Sequence, residues 1–244
     1  FGYHTNRLPM EELGQLLPYT LLKRHREQLQ HLEAMLLGQA GLLPEDSEDS
    51  YVQQLKKDHD FYQKKYGWPK GLTRQHWTFL GARPANFPTL RLAQLATVLV
   101  QAPHLFSTIL EESGDLTTFR KIFQSPPSPY WRQHYTFGKP SSKVTSNGLS
   151  EQSVQLLVIN FVLPIWFAYG EFHDQEEWKE RCFSLLQSMT AEQNYVLRKF
   201  VRHAWIPETA FDSQGMLELY RRYCSAQKCL SCKIGQSLLR SPSK

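Results

Sequence analysis

The sequence predicts an all-α fold of two packed helical lobes, the second finished by a cysteine knuckle. Three observations carry that expectation. Apolar residues recur at helical rather than alternating spacing along almost the whole chain. Of the 244 residues 41 % are hydrophobic, enough to bury a sizeable core. Prolines, glycines and capping residues punctuate the chain at intervals of about one helix.

Pro9 opens a first helix that ends near Pro18. In the longer helix expected next, Leu21, Leu22, Leu29, Leu32, Met35 and Leu36 form an apolar stripe, and Gly38 and Gly41 end it. Asp49 or Ser50 caps a helix over 51–66 that carries Val52, Leu55, His59 and Tyr62 on one side. Asn86 is the expected cap of the following helix, with Pro88 in its first turn, where the missing N–H costs nothing. From Leu90 to Ala102 only Arg91, Gln94, Thr97 and Gln101 break the apolar run, and their spacing makes one narrow polar stripe on a buried helix. Short helices are expected around 104–112 and 116–123.

Residues 139–148, Lys-Pro-Ser-Ser-Lys-Val-Thr-Ser-Asn-Gly, read as a loop, so the expected division is an N-terminal lobe 1–138, a linker 139–148 and a C-terminal lobe 149–244. Ser150 caps an apolar helix that runs to about Gly170, with a kink expected at Pro164. Trp178, Cys182, Leu185, Leu186 and Met189 stripe the next helix. Thr190 and Gln193 suggest a capping box for the one after. A final helix, starting near Asp212 or Ser213, is expected to deliver Leu217, Leu219, Tyr220 and Tyr223 to the core.

The chain opens without Met, as a fragment does, and without a basic leader followed by a short apolar run, so no secretory signal is expected. The longest apolar run, Leu156 to Tyr169, is interrupted by Asn160 and Pro164 and falls short of the roughly 20 residues of a bilayer span. It reads as a core helix, with no membrane partner. Four cysteines, three of them clustered, do not make a disulfide framework and suit a reducing cytoplasm.

The net charge of +5 is unevenly placed: residues 198–244 hold nine Lys or Arg against three acids. That excess is the footprint expected for DNA or RNA, with Arg198, Lys199, Arg202, Arg221 and Arg222 as phosphate contacts. The alternative is a solvated helix face. Within this segment Cys224, Cys229 and Cys232 lie within nine residues, a density that suits thiolate ligation of a soft metal. Zinc is the first expectation. An iron–sulfur cluster is the second, because Cys-x4-Cys-x2-Cys opens a plant-type ferredoxin spacing whose fourth cysteine does not follow. Cys182 reads as a core residue, so a fourth ligand would come from a histidine such as His203 or from outside this chain. The alternative is three reduced thiols packed in a helical corner.

Two further constellations carry chemistry. Arg83, Asn86, Arg91 and Gln94 surround a proline-preset helix start, where exposed amides and a guanidinium suit a phosphate. The same residues suit a structural role, satisfying carbonyls between elements. Trp131 and His134, with Tyr130, Arg132 and Tyr135, could stack a base and touch its phosphate, or plug the gap under a loop. His134 as a general base has no carboxylate or nucleophile at a telling distance, and Ser213 lacks the glycine-flanked elbow of a hydrolase.

Several strings spread over the chain resemble a family of bacterial proteins known as domain of unknown function 2851. They are Ala34 to Leu43 (AMLLGQAGLL), Arg83 to Gln94 (RPANFPTLRLAQ), Tyr130 to Tyr135 (YWRQHY), Ala191 to Asn194 (AEQN), Asp212 to Gln214 (DSQ) and Tyr223 to Gly235 (YCSAQKCLSCKIG). The resemblance implies a longer protein with an upstream β-rich segment that looks like a restriction-type nuclease core. No nuclease carboxylate of that segment falls on a position of this chain. The resulting expectation is a nucleic-acid-binding accessory module of a nuclease-like protein, with the upstream β-rich domain and DNA or RNA as partners. The alternative is a structural or protein-interaction module, and a hydrolase centred on His134 and the Arg83–Gln94 stripe is the third reading.

Overall fold

Asp49 Oδ1 accepts from the Tyr51 amide at 2.9 Å, and this cap starts the helix Ser50–Tyr66, which Gly67 ends in the left-handed region at φ 60°. Both signals were readable in the sequence. The computed structural model describes residues 1, 5–111, 115–142 and 148–240, so half of the expected linker, 143–147, lies outside the described residues. Within them the fold is all-α: no strand forms, and two isolated bridges pair His134 with Pro140 and Thr190 with Thr209.

The described residues divide into two compact units between 158 and 159, except that residues 115 and 116 group with the second. The first holds α1 (Arg7–Leu16), α2 (Tyr19–Arg24), α3 (Leu29–Gln39), α4 (Ser50–Tyr66), α5 (Pro88–Gln101), α6 (Leu105–Glu111), α7 (Leu116–Phe123) and α8 (Glu151–Leu157). The single helix expected over 21–36 is two, because the chain turns at His25, whose Nε2 pairs with the Tyr66 hydroxyl at 2.6 Å. Helix α3 packs against both α4 and α5. Its Leu32, Ala34, Met35, Leu36 and Leu37 are all buried, as expected of a helix apolar around most of its circumference.

Residues 68–77 lie across the end of α3. The Leu72 amide donates to the Gln39 carbonyl at 2.8 Å and the Trp77 indole donates to the Ala40 carbonyl at 2.7 Å. Gly41, at φ 64°, meets the Leu72 carbonyl where a Cβ would stand. Phe87, rather than Asn86, occupies the cap position of α5, with Pro88 at its first turn. Asn86 sits in a preceding 3-10 turn and turns its side chain to Arg91 instead.

Ser150 Oγ accepts from the Ser153 amide and starts α8 as expected. The helix then continues through a π turn, Val158–Val162, into α9 (Leu163–His173), with Pro164 in the first turn of α9. The expected kink is thus taken up as a π turn, one of the ways a helix accommodates a proline that cannot donate. The helical stretch Glu151–His173 has 23 residues and a window of mean hydropathy 1.6, long and apolar enough to cross a membrane, and 44 % of that window is buried. The run expected to be too short for a span is therefore extended by its flanks.

In the second unit α10 (Glu176–Ser188) packs on α9 through Trp178, edge-on to Trp166 and Tyr169. Asn194, not Thr190, caps α11 (Tyr195–Val201), accepting from the Leu197 amide at 3.0 Å. Thr190 is engaged in its bridge to Thr209. Thr209 and Asp212 form the capping box of α12 (Ala210–Leu219), so that helix starts before Asp212, and Leu217, Leu219, Tyr220 and Tyr223 are half-buried rather than core residues. A π turn at Tyr220–Cys224, a 3-10 turn at Cys229–Ser231 and α13 (Lys233–Arg240) complete the unit.

Candidate nucleic-acid interface

Asn194 and Thr209 set the starting points of α11 and α12, and the two helices pack together. The consequence is a juxtaposition far apart in sequence: the Lys199 ammonium on α11 donates to the Tyr220 hydroxyl at 2.8 Å. The same ammonium lies 4.7 Å from the centroids of both the Tyr195 and Tyr220 rings. The bond to Tyr220 is the main reason its pKa is raised, so the charge is held. Arg198 and Arg202 flank Lys199 on α11, Arg221 and Arg222 follow Tyr220, and all four arginines are exposed. Arg221 and Arg222 both reach Glu218, at 2.5 and 3.5 Å.

Aromatic groups border these charges, which composition alone had not indicated. Tyr195 is 66 % exposed, and Trp205, 42 % exposed, stacks on Phe200 at 6.2 Å. The i,i+4 spacing of Tyr195 and Lys199 was the available sequence signal for the pair on α11. Cations interleaved with accessible rings are the chemistry that holds a phosphodiester backbone and its bases.

The cysteines of the expected knuckle are free thiols, with Cys224 and Cys229 exposed and Cys232 buried. Among the described residues no group of three or more His, Cys, Asp or Glu side chains is placed to hold a metal ion, and the knuckle is no exception. Cys182 is a core residue, its thiol directed at the Leu163 carbonyl.

Arg91, Asn86 and Gln94 do come together, in the first unit. The Arg91 guanidinium donates to Asn86 Oδ1 at 2.7 Å, to Gln94 Oε1 at 3.0 Å and to Ser153 Oγ at 3.4 Å, while Gln94 donates to the Gly148 carbonyl at 3.3 Å. Arg91 and Gln94 are 4 % and 3 % exposed, and Arg83 is exposed and outside this set of contacts. The group ties α5 to α8, so phosphate access to the guanidinium is closed by protein.

Trp131 is fully buried, and its indole donates to the Tyr51 hydroxyl at 3.0 Å. A ring with no exposed face cannot stack a base, which corrects its assignment as a nucleic-acid contact. His134 pairs with the Tyr130 carbonyl at 2.8 Å and stacks on the Tyr130 ring at 4.0 Å. The Tyr51 hydroxyl donates in turn to Glu33 Oε2 at 2.7 Å, and Tyr130 donates to Asp49 at 2.9 Å. Glu33, 1 % exposed, had passed unnoticed in the sequence because it stands inside an apolar run. Burial pushes its carboxyl up to about 7, against the opposing effects of Tyr51 and Ser128. The Ser128 hydroxyl faces the carboxyl without reaching hydrogen-bond geometry, and neither Glu33 Oε1 nor Ser128 Oγ has a partner.

Comparison with curated proteins and with solved structures finds no match. A family model described as "Protein of unknown function (DUF2851)" matches residues 1–195. The match ends at the first residue of α11, so Asp212 to Gln214, the cysteine corner and all of Arg198, Lys199, Arg202, Arg221 and Arg222 lie beyond it. Since the matched residues make up most of the 244, the chain belongs to the family of proteins of unknown function DUF2851.

Proposed function

We propose that the chain is a nucleic-acid-binding module, contacting the phosphate backbone of DNA or RNA with the α11 and α12 face and serving as an accessory to a nuclease-like part of a longer protein. The observation that supports this reading is the Lys199–Tyr220 bond, which links two elements carrying basic runs separated by eighteen intervening residues. Exposed guanidinium groups contact phosphate oxygens in a fork geometry, and accessible tyrosine and tryptophan rings accept bases. The test is fluorescence anisotropy with labelled single-stranded and duplex oligonucleotides, comparing the wild-type chain with Arg198→Glu/Arg202→Glu. Binding that weakens at least tenfold in the double variant supports the reading; equal binding by both proteins, or none by either, contradicts it.

A structural module is favoured by one observation. Glu218 engages both Arg221 and Arg222, so part of the positive charge is answered within the protein. Such exposed pairs contribute at most about 1 kcal/mol, so phosphate can compete for these arginines. On the structural reading the charge-reversal variant would alter stability and leave oligonucleotide binding at the level of an unrelated basic protein.

A further inference from the structure

Two extended segments of the second unit run side by side ahead of α11 and α12. The Ala210 amide donates to the Met189 carbonyl at 2.8 Å, Thr190 bridges Thr209, and the Ala191 amide donates to the Glu208 carbonyl at 3.3 Å. After α11 the chain doubles back. Ala204 holds φ 61°, a left-handed conformation rare for a residue with a Cβ, and the Trp205 amide donates to the Phe200 carbonyl at 3.1 Å. Between these pieces lies a cavity of about 290 Å³, whose lining includes Leu197, Val201, Ile206 and Pro207 as apolar walls. Glu192 and Arg198 line it as well. The Glu192 backbone is anchored on α12, its amide donating to Ser213 Oγ at 3.3 Å, and its carboxylate accepts from the Gln214 amide group.

We propose that this cavity receives one unpaired nucleobase of a bound strand, so that the chain prefers single-stranded nucleic acid. The inference rests on the nucleic-acid reading above and adds to it the strand form and the seat of a base. Val201 and Ile206 are exposed, so the apolar walls open to solvent beside an exposed arginine. A base has the matching chemistry: two apolar faces for the walls, and a hydrogen-bonding edge whose N–H groups suit a carboxylate such as that of Glu192. Its own phosphate would lie at Arg198, and the next at Arg202, which the i,i+4 spacing sets on the same side of α11. The volume lies at the lower limit of small-molecule sites, which are about 300–1,000 Å³, and suits one ring system rather than a base pair.

The experiment compares, at one salt concentration, the affinity of the full chain for three labelled probes of equal length. These are an oligothymidine strand, the same strand with every base replaced by an abasic tetrahydrofuran unit, and a blunt duplex. Wild type is expected to bind the thymidine strand at least tenfold more tightly than either of the others. Ile206→Ala removes one wall at a position that is 69 % exposed, where folding does not depend on it. It is expected to lose about fivefold on the thymidine strand and to bind the abasic strand as wild type does, which separates the cavity from stacking on Tyr195 or Trp205. Equal wild-type affinity for the thymidine and abasic strands would overturn the proposal while leaving backbone binding in place. A duplex bound as tightly as the thymidine strand would also overturn it, as would an Ile206→Ala variant that keeps full affinity for that strand. Failure to bind any of the three probes would remove the nucleic-acid reading itself.

Discussion

The Lys199 ammonium and the Tyr220 hydroxyl meet at 2.8 Å across the packed helices α11 and α12. This bond links α11, which carries Arg198 and Arg202, to the turn that carries Arg221 and Arg222. Removing the charge by Lys199→Gln should weaken oligonucleotide binding to a similar degree for all sequences and reduce the single-strand salt slope by about 0.7. Parallel titrations at several salt concentrations check it. A variant that loses affinity for one sequence only would point to base readout rather than backbone contact.

Glu33 gives the first unit a pH dependence with a defined sign. Its folded pKa is raised to about 7 by burial, above the value of about 4.5 it has when exposed. The stability contributed by the neutral acid is therefore fully present below about pH 4.5 and is lost as pH rises through about 7. The loss is on the order of 3 kcal/mol. Glu33→Gln keeps an acceptor for the Tyr51 hydroxyl, so its denaturant midpoint should fall less than that of wild type between pH 5 and pH 8. Parallel midpoint profiles for the two proteins would contradict the assignment.

Arg91 should act as a structural fork. Arg91→Met leaves Asn86 Oδ1, Gln94 Oε1 and Ser153 Oγ without the guanidinium that joins them, at a cost of about 1–3 kcal/mol in denaturant unfolding. Arg91→Lys should recover little of this, because a point-like ammonium cannot reproduce the planar fork.

Two glycines separate backbone strain from crowding. Gly41 and Gly67 both hold positive φ, at 64° and 60°, but only Gly41 faces a carbonyl, that of Leu72, while Gly67 has open space around it. Gly67→Ala should cost about 1–2 kcal/mol for the left-handed residue alone. Gly41→Ala should cost more, because the 68–77 segment must also move. Equal losses in the melting curves would contradict the close approach.

Much of the fold was legible because it rests on local rules. The Asp49 cap, the glycine end at Gly67, the Ser150 cap and the apolar run of α5 all follow from residues next to the structure they specify. What was not legible depends on partners distant in sequence. His25 ends α2 by meeting Tyr66, Thr190 leaves its expected capping role to pair with Thr209, and Asn86 turns from capping to Arg91. The candidate site divides in the same way. The basic residues were countable, but the contact of Lys199 with Tyr220, which links the elements that carry them, was not. Trp131, chosen as an aromatic that could stack a base, is a core residue because Tyr51 and Glu33 provide a buried partner chain for its N–H.

The most direct test of the basic face is the dependence of oligonucleotide affinity on salt. If Arg198, Lys199, Arg202, Arg221 and Arg222 all neutralise phosphates of a single strand, the logarithm of the binding constant should fall against the logarithm of salt concentration with a slope of about −3.5. A slope near zero, or binding that survives charge reversal at Arg198 and Arg202, would contradict the account.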